Sequence, residues 1–253
     1  MKRYLLFSML VTISTFLFSC TNDGDNPSDS NENQKGQLKV TETFRIVTTS
    51  GKVKDEDISK YFYEDGKLVS KKTENTIYSV APNGTSIDDF FYDANGKLVK
   101  KVISEKSLID ESYSPLYISE YSYNEKGQIS EQNRNTVASS SSSKYSITKF
   151  QYDDLGRLIK TTNPDFIYGP QTYAYYGSTF NIKPFLGASY DNRMNMQRFL
   201  SPSKAYADSY PYSANNVIFS DKVFTYDTKD RIIKIVYPAG NDSNYEITYE
   251  YVD

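Results

Sequence analysis

A motif of about thirty residues recurs along the chain and constrains the fold more than any other feature. Each copy has an aromatic residue, a tyrosine two positions later, a short polar stretch, a glycine or aspartate, and two mostly aliphatic residues. The first four motif tyrosines are 29, 31 and 29 residues apart, and a gap of 74 precedes the fifth. These tyrosines are Tyr63, Tyr92, Tyr123, Tyr152 and Tyr226. Regular self-similarity of this kind indicates a fold built from one repeated supersecondary unit.

Each copy of the motif is typical of a β-hairpin. Strand alternation places the aromatic residue and the tyrosine on one face, and the aliphatic residue of the outgoing strand pairs across from them. Asp or Asn early in the loop is suited to bond the backbone that follows, and glycine supplies a positive φ. The first unit is one residue shorter, which predicts a tighter turn at Asp65 and Gly66. The predicted turn positions are Gly66, Gly96, Gly127, Gly156 and Asp230.

The pattern along residues 39–160 contains no amphipathic helix, so strands and turns account for this part of the chain. We therefore predict an all-β fold, an antiparallel sheet of repeated β-hairpins that is strongly curled or barrel-like, with one irregular insert at residues 163–222. A barrel spanning the outer membrane is the rival interpretation, and short Lys-rich runs such as Lys71-Lys72 disfavour it.

The insert is rich in tyrosine and proline, and residues 191–200 could form a short helix. One interpretation makes it an aromatic platform for a glycan, because a tyrosine ring has an apolar face and a polar tip. The other makes it a plug that closes one end of the sheet with its aromatic side chains in the core. The candidate ligand-binding residues of the first interpretation are Tyr173, Tyr175, Tyr176 and Tyr190.

The N-terminus has the layout of a secretion signal. Lys2 and Arg3 precede an apolar stretch of about 14 residues, which is too short to span a bilayer. The stretch ends in Leu17-Phe18-Ser19-Cys20, which resembles a bacterial lipobox, and Cys20 is the only cysteine of the chain. The resemblance implies a lipoprotein signal peptide at residues 1–19 and lipidation of Cys20. An ordinary secretory signal with an incidental cysteine is the alternative.

Residues 20–38 are polar and are expected to form the lipidated cysteine and a flexible tether, followed by a single hairpin-repeat domain at residues 39–253. Asp23 and Asp25 resemble the acidic tags that send some Gram-negative lipoproteins to the outer surface, although a simple soluble spacer explains them equally well. The expected location is the cell envelope, lipid-anchored at the outer membrane, with the lipid as the contact to the membrane.

The repeated units resemble the YD or RHS repeat, whose core reads Tyr-Asp-x-x-Gly-Arg-Leu. Residues 152–158 match that core throughout, and residues 92–98 differ only by Lys97 for Arg. The chain is similar to short YD-repeat lipoproteins of Gram-negative envelopes, a domain of unknown function with a porin-like curled sheet. That resemblance implies a curled β-sheet architecture but does not imply any activity.

Composition restricts the functional classes. The chain has no His, which removes His-dependent triads and dyads, and we expect no catalytic residue, no metal and no cofactor. A formal net charge of −3 argues against a nucleic-acid partner.

We expect a lipid-anchored binding or scaffold protein that faces the surface or the periplasm, with a glycan or an envelope protein as partner. The alternative is a carboxylate-based hydrolase of an envelope or dietary polymer.

Overall fold

The computed structural model describes residues 36–76, 84–107, 109–137, 145–165, 169–175, 189–209, 215–218, 221–240 and 242–253. The predicted signal peptide and Cys20 lie outside the described residues. The elements are β1 (Gln37–Thr48), β2 (Val53–Glu64), β3 (Lys67–Asn75), β4 (Ser86–Tyr92), β5 (Leu98–Lys106), β6 (Tyr113–Tyr123), β7 (Ile129–Thr136), β8 (Tyr145–Tyr152), β9 (Leu158–Thr162), β10 (Gln171–Thr172), β11 (Ser189–Met194), α1 (Met196–Phe199), α2 (Lys204–Asp208), β12 (Asn215–Ile218), β13 (Val223–Tyr226), β14 (Ile232–Gly240) and β15 (Ser243–Tyr251).

Thirteen strands form one antiparallel sheet in the order β10-β9-β8-β7-β6-β5-β4-β3-β2-β1-β15-β14-β13. Neighbours in sequence are neighbours in space from β1 to β10, and the last strand, β15, returns to pair with β1. The two edge strands are β10 and β13, and they do not pair with each other, so the sheet formed by the described strands is open. The sheet is also curled. β11 and β12 pair separately. The prediction of an all-β fold of antiparallel hairpins is confirmed.

The loop of each longer hairpin is organised by its first residue. In the second hairpin, Asp93 Oδ1 accepts hydrogen bonds from the backbone N–H groups of Asn95 and Lys97, at 2.9 and 2.8 Å. Gly96 follows with φ +77° and donates its N–H to the Asp93 carbonyl. This geometry explains why the motif has Asp or Asn after the tyrosine and glycine three residues later. The residues equivalent to Asp93 are Asn124, Asp153 and Asp227.

The two departures from the motif are accommodated locally. The shorter first hairpin turns in two residues, Asp65 and Gly66, with φ of 49° and 74°. Two successive positive φ angles match the right-handed twist of the flanking strands. In the last hairpin Asp230 takes the position of glycine with φ 59°, a conformation that aspartate adopts more readily than most residues.

A β-bulge lies just after the turn of each repeated hairpin, next to an aliphatic residue of the core. In the second hairpin Phe91 pairs with Lys100 and Tyr92 pairs with Leu98, which leaves Val99 as the extra residue. The aliphatic residue opposite the tyrosine is buried in every hairpin, with 3% or less of its surface exposed. These residues are Leu68, Leu98, Ile129, Leu158 and Ile232. Burying each one contributes on the order of 1.5–3 kcal/mol.

In the second, third and fourth repeats a tyrosine hydroxyl joins the hairpin to the preceding one. Tyr92 in β4 donates to the Leu68 carbonyl in β3 across 2.7 Å, at a point beyond the last backbone pair between these strands, Ser70 with Asp89. The hydroxyl therefore donates a hydrogen bond to a carbonyl that lies beyond the backbone pairing with the neighbouring strand. The same contact, also at 2.7 Å, is made by Tyr123 to Leu98, Tyr152 to Ile129 and Tyr251 to Ile232. We call this set the tyrosine ladder.

The basic residue of the motif covers the ring of the next tyrosine in the ladder. Lys67 Nζ lies 5.4 Å from the centre of the Tyr92 ring, and Lys97 Nζ lies 5.1 Å from that of Tyr123. Each contact contributes about 0.5–1 kcal/mol at an exposed site. In the Gly-Lys/Arg-Leu part of the motif, the glycine thus forms the turn and the basic residue places its cation over the next tyrosine ring. The aliphatic residue is buried, and its carbonyl accepts the hydrogen bond from that tyrosine.

The segment with α1 and α2 packs against the concave face of the sheet. The Tyr206 ring meets that of Tyr121 edge to face at 5.8 Å, and the Tyr92 hydroxyl lies 2.9 Å from the Pro202 carbonyl oxygen. The Tyr251 hydroxyl lies 3.6 Å from Met196 Sδ. Strands β6 and β15 are six positions apart in the sheet order, so their contacts with one segment require the sheet to curl around it. This part of the insert therefore acts as a plug.

No helix among the described residues is long and apolar enough to cross a membrane.

The turn assignment predicts the effect of replacing Gly127. Its φ is +75°, and an added Cβ would meet no atom within 4 Å, so only backbone strain opposes a side chain there. We expect Gly127→Val to lower the free energy of unfolding by about 1–2 kcal/mol. Gly127→Asn is the control and should cost less, since asparagine tolerates this conformation. Equal stability of the wild type and Gly127→Val in urea unfolding would contradict the assignment.

The tyrosine ladder predicts loss of stability at alkaline pH. Burial raises the pKa of the ladder residues Tyr123 and Tyr251 to about 12 from an ordinary value of 10.0. Because the native state favours the neutral phenol, the resulting stability is fully present below about pH 10 and is lost as the pH rises toward 12. Ultraviolet absorbance of tyrosinate should therefore show a group that ionises late, together with loss of the circular dichroism of the sheet. Ionisation of every tyrosine near pH 10 in a sheet that stays intact would refute this prediction.

Candidate ligand-binding site

The structure allows two of the four candidate tyrosines to be placed with their side chains. Tyr173 and Tyr175 follow β10 and, being two residues apart, lie on the same face as the inward residues of the sheet. Tyr190 lies in β11, where its backbone pairs with Val217, but its side chain is outside the described part of the structure. Tyr176 also lies outside the described residues.

Tyr175 extends the tyrosine ladder. Its hydroxyl donates to the Leu158 carbonyl at 2.7 Å, and the Arg157 guanidinium lies 4.9 Å from the centre of its ring. Burial raises the pKa of Tyr175 to about 12. These are the contacts that Tyr92 and Tyr123 make with their preceding hairpins. The structure thus gives Tyr175 a packing role at the end of the repeat.

Tyr173 lines a cleft on the concave face, near the ends of the strands that lie away from the glycine turns. Its hydroxyl donates to Gln171 Oε1 at 3.0 Å and lies 3.3 Å from Thr161 Oγ1. The cleft has a volume of about 530 Å³. The residues around it combine aromatic rings with hydroxyl, amide and charged groups: Tyr117, Gln132, Arg134, Thr136, Ser146, Thr148, Phe150, Thr161, Asn163, Asp165, Gln171, Tyr173 and Ser209. We call this site the β6–β10 cleft.

Strand register explains why the cleft is polar. In β7 the inward residue nearest the turn is Ile129, which is fully buried. The next inward residues, farther from the turn, are the polar Gln132 and Arg134. Gln132 pairs with Tyr121 on one side and Thr148 on the other, so these three residues share the concave face. The hydrophobic layer therefore ends partway along β7. Beyond it the same face presents hydrogen-bonding side chains.

Hydrogen bonds within the wall hold the amide side chains of the cleft in place. Asn163 Nδ2 donates to Ser146 Oγ at 2.8 Å and to Thr148 Oγ1 at 2.7 Å. Gln132 Nε2 donates to Ser119 Oγ at 3.1 Å. Side chains fixed in this way lose little conformational freedom when a ligand binds, which favours affinity.

Arg134 is held by an aromatic ring. Its guanidinium carbon lies 3.8 Å from the centre of the Tyr117 ring, the distance of a stacked contact. Arg134 is exposed, and it forms no ion pair with any carboxylate of the described residues. Stacking occupies the face of the guanidinium and leaves its N–H edges available to the cleft.

A larger cavity, of about 970 Å³, lies between β1–β3 and the helical segment. Its lining includes Val40, Tyr63 and Leu68, together with Pro202 and Ala207 from the segment that carries α2. These residues belong to the contact between the sheet and the plug. The β6–β10 cleft instead offers a ring and fixed polar groups to a ligand, so we take it as the candidate site.

Sequence analysis did not single out Tyr117, Arg134 or Asn163. The available signal was strand alternation in β6 and β7, followed away from the turn until the inward residues become polar. Among the described residues there is no group of three or more Cys, Asp or Glu side chains placed to hold a metal ion.

No protein-family model and no curated protein matches the chain. Among solved structures, it is similar to a porin-like protein from Bacteroides uniformis, with 10% identity and a TM-score of 0.36, over 85% of this chain and 98% of the other. It is also similar to the TcdB2-TccC3-TEV protein, with 13% identity and a TM-score of 0.30, over 78% of this chain and 10% of the other. A third match is the Photorhabdus luminescens Tc holotoxin pore, with 13% identity and a TM-score of 0.20, over 79% and 12%. Likeness at these TM-scores carries no functional information.

Proposed function

We propose that this protein is a lipid-anchored cell-envelope protein that binds a glycan in the β6–β10 cleft. The observation that carries the proposal is the combination of Tyr117 and Tyr173 with amide side chains already fixed by their neighbours. A sugar ring has an apolar face and a rim of hydroxyl groups. Tyrosine rings suit the face, and Asn, Gln, Ser and Thr suit the rim.

The size of the cleft supports a small ligand or one end of a polymer. Its volume of about 530 Å³ lies within the range of about 300–1,000 Å³ that is typical of small-molecule sites. The cleft opens on the concave face, beside the last strands of the ladder. A chain with further sugar units could continue outward from it.

We propose binding without hydrolysis. Glycosidases use two carboxyl groups on either side of the scissile bond. Among the described residues that line the cleft, Asp165 is the one carboxylic acid. The alternative of a hydrolase therefore has no specific geometric support at this site.

The proposed location rests on the N-terminal sequence. The lipobox-like Leu17-Phe18-Ser19-Cys20 favours lipidation of Cys20, and the polar residues after it favour a tether between membrane and domain. Several acyl chains on one cysteine anchor a protein firmly, because each buried CH₂ contributes about 0.8 kcal/mol. The outer membrane is the location we propose.

Metabolic labelling tests the anchor. We expect radiolabelled palmitate to enter the wild-type protein and the control Thr21→Ala, and to be absent from Cys20→Ala, which lacks the thiol that carries the lipid. Labelling that persists in Cys20→Ala would disprove lipidation at this residue.

A glycan array tests the binding function. The full-length protein, solubilised in detergent, should bind at least one class of carbohydrate. Tyr173→Ala should abolish this binding because it removes the ring, whereas Tyr173→Phe should keep most of it. An array without signal, or equal signal from wild type and Tyr173→Ala, would exclude glycan binding at this cleft.

A further inference from the structure

We infer that the β6–β10 cleft selects carboxylate-bearing sugars, with Arg134 as the residue that binds the carboxylate. This inference rests on the proposed function and names the chemical class of the glycan. A neutral sugar would use the tyrosine rings and the amide groups. An acidic sugar would use Arg134 as well.

The first argument is the state of the Arg134 side chain. Arginine side chains on a protein surface commonly pair with a carboxylate of the same chain, as Arg157 does with Asp153 at 2.7 Å and Arg231 with Asp227 at 2.7 Å. Arg134 forms no such pair among the described residues, although it lies on a strand between two others. Its charge is therefore available to a ligand.

The second argument is orientation. Stacking on Tyr117, at 3.8 Å, removes much of the rotational freedom of the guanidinium before any ligand arrives. A guanidinium held by its face donates two parallel N–H bonds from its edge, and a carboxylate accepts two such bonds in the same plane. Hydrogen bonds to charged groups are also stronger than those between neutral groups.

The third argument is the placement of the other charges. Arg134 and Asp165 are the two charged residues among those that line the cleft. Asp165 is exposed at the end of β9, beyond Asn163, whose side chain is bound to β8. A sugar with a carboxylate toward Arg134 would therefore place its hydroxyl groups toward Asn163 and Asp165, whose side-chain oxygens accept hydrogen bonds from hydroxyls.

The surrounding residues fit a sugar better than a bare carboxylic acid. Ser146, Thr148 and Thr161 line the wall with hydroxyl groups, and the Tyr173 ring stands beside them. A small carboxylic acid would contact Arg134 alone and leave the rest of the cleft unused. A uronic or sialic acid would engage both the guanidinium and the wall.

The experiment compares acidic sugars with their own esters. Oligosaccharides of galacturonic, glucuronic, mannuronic and sialic acid are immobilised beside their methyl esters and beside neutral glycans, and are probed with the full-length protein in detergent. Esterification removes the charge and keeps the sugar. We expect at least one acid form to bind about tenfold more tightly than its ester, and to lose affinity with added salt.

Variants assign the effect to Arg134. Arg134→Gln should reduce binding of the acid form at least tenfold, and Arg134→Lys should restore part of it, because lysine keeps the charge without the paired N–H edge. Lys149→Gln is the matched control, since it removes one positive charge from β8 on the opposite face of the sheet and should leave binding unchanged.

Each remaining outcome has one meaning. Esters or neutral glycans that bind as well as acids, or an unchanged acid signal in Arg134→Gln, would overturn the selectivity for acidic sugars and leave the proposed function standing. No binding to any glycan, acidic or neutral, would overturn both. Equal binding of free N-acetylglutamate and the best acidic sugar, measured by calorimetry, would overturn the requirement for a sugar.

Discussion

The hydrogen bond from a tyrosine hydroxyl to the carbonyl of the preceding hairpin is the contact on which the rest of the fold depends. In β3 and β4 the backbone pairs end at Ser70 and Asp89, and the Leu68 carbonyl lies beyond them. Tyr92 donates to that carbonyl at 2.7 Å. An unpaired buried carbonyl costs about 1–3 kcal/mol, so the hydroxyl both satisfies the acceptor and fixes how closely the next hairpin approaches. Repetition of this contact stacks hairpins into one curled sheet.

The same arrangement divides the concave face into two parts. Near the turns, buried residues such as Leu98 and Ile129 and the tyrosine ladder form a hydrophobic layer that the plug covers. Away from the turns, the inward residues of β6–β9 become polar and line the β6–β10 cleft. The β6–β10 cleft lies at this boundary. The strand register, as well as the residue types, therefore determines which aromatic and polar groups face the cleft.

The sequence predicted the hairpins well because their determinants are local. Tyr, Asp, Gly and an aliphatic residue at fixed spacing specify an incoming strand, a loop that bonds to itself, a positive φ and a buried partner, as residues 92–98 show. The tight turn at Asp65 and Gly66 followed from one missing residue. The bulge at Val99 was not predicted, because nothing in the local pattern separates it from a regular strand residue.

Contacts between distant residues were harder to predict. Tyr175 follows Tyr152 by 23 residues and has no Asp-x-x-Gly loop after it, so its place in the ladder is visible only when β10 pairs with β9. The sequence allows a short helix at residues 191–200, but β11 takes residues 189–194 because it pairs with β12, and α1 takes only Met196–Phe199. The cleft brings together residues from β6 to β10, and their proximity depends on the register of four neighbouring strand pairs.

The most direct test of this account is the stability of Tyr123→Phe relative to Tyr117→Phe in urea. Both tyrosines lie on the concave side of β6, and both variants keep the ring. Only Tyr123 donates its hydroxyl to a carbonyl of the preceding hairpin, Leu98, at 2.7 Å among the described residues. The account predicts that Tyr123→Phe loses about 1 kcal/mol of unfolding free energy and that Tyr117→Phe loses much less. Equal stability of Tyr123→Phe and the wild type would contradict the central role of the ladder.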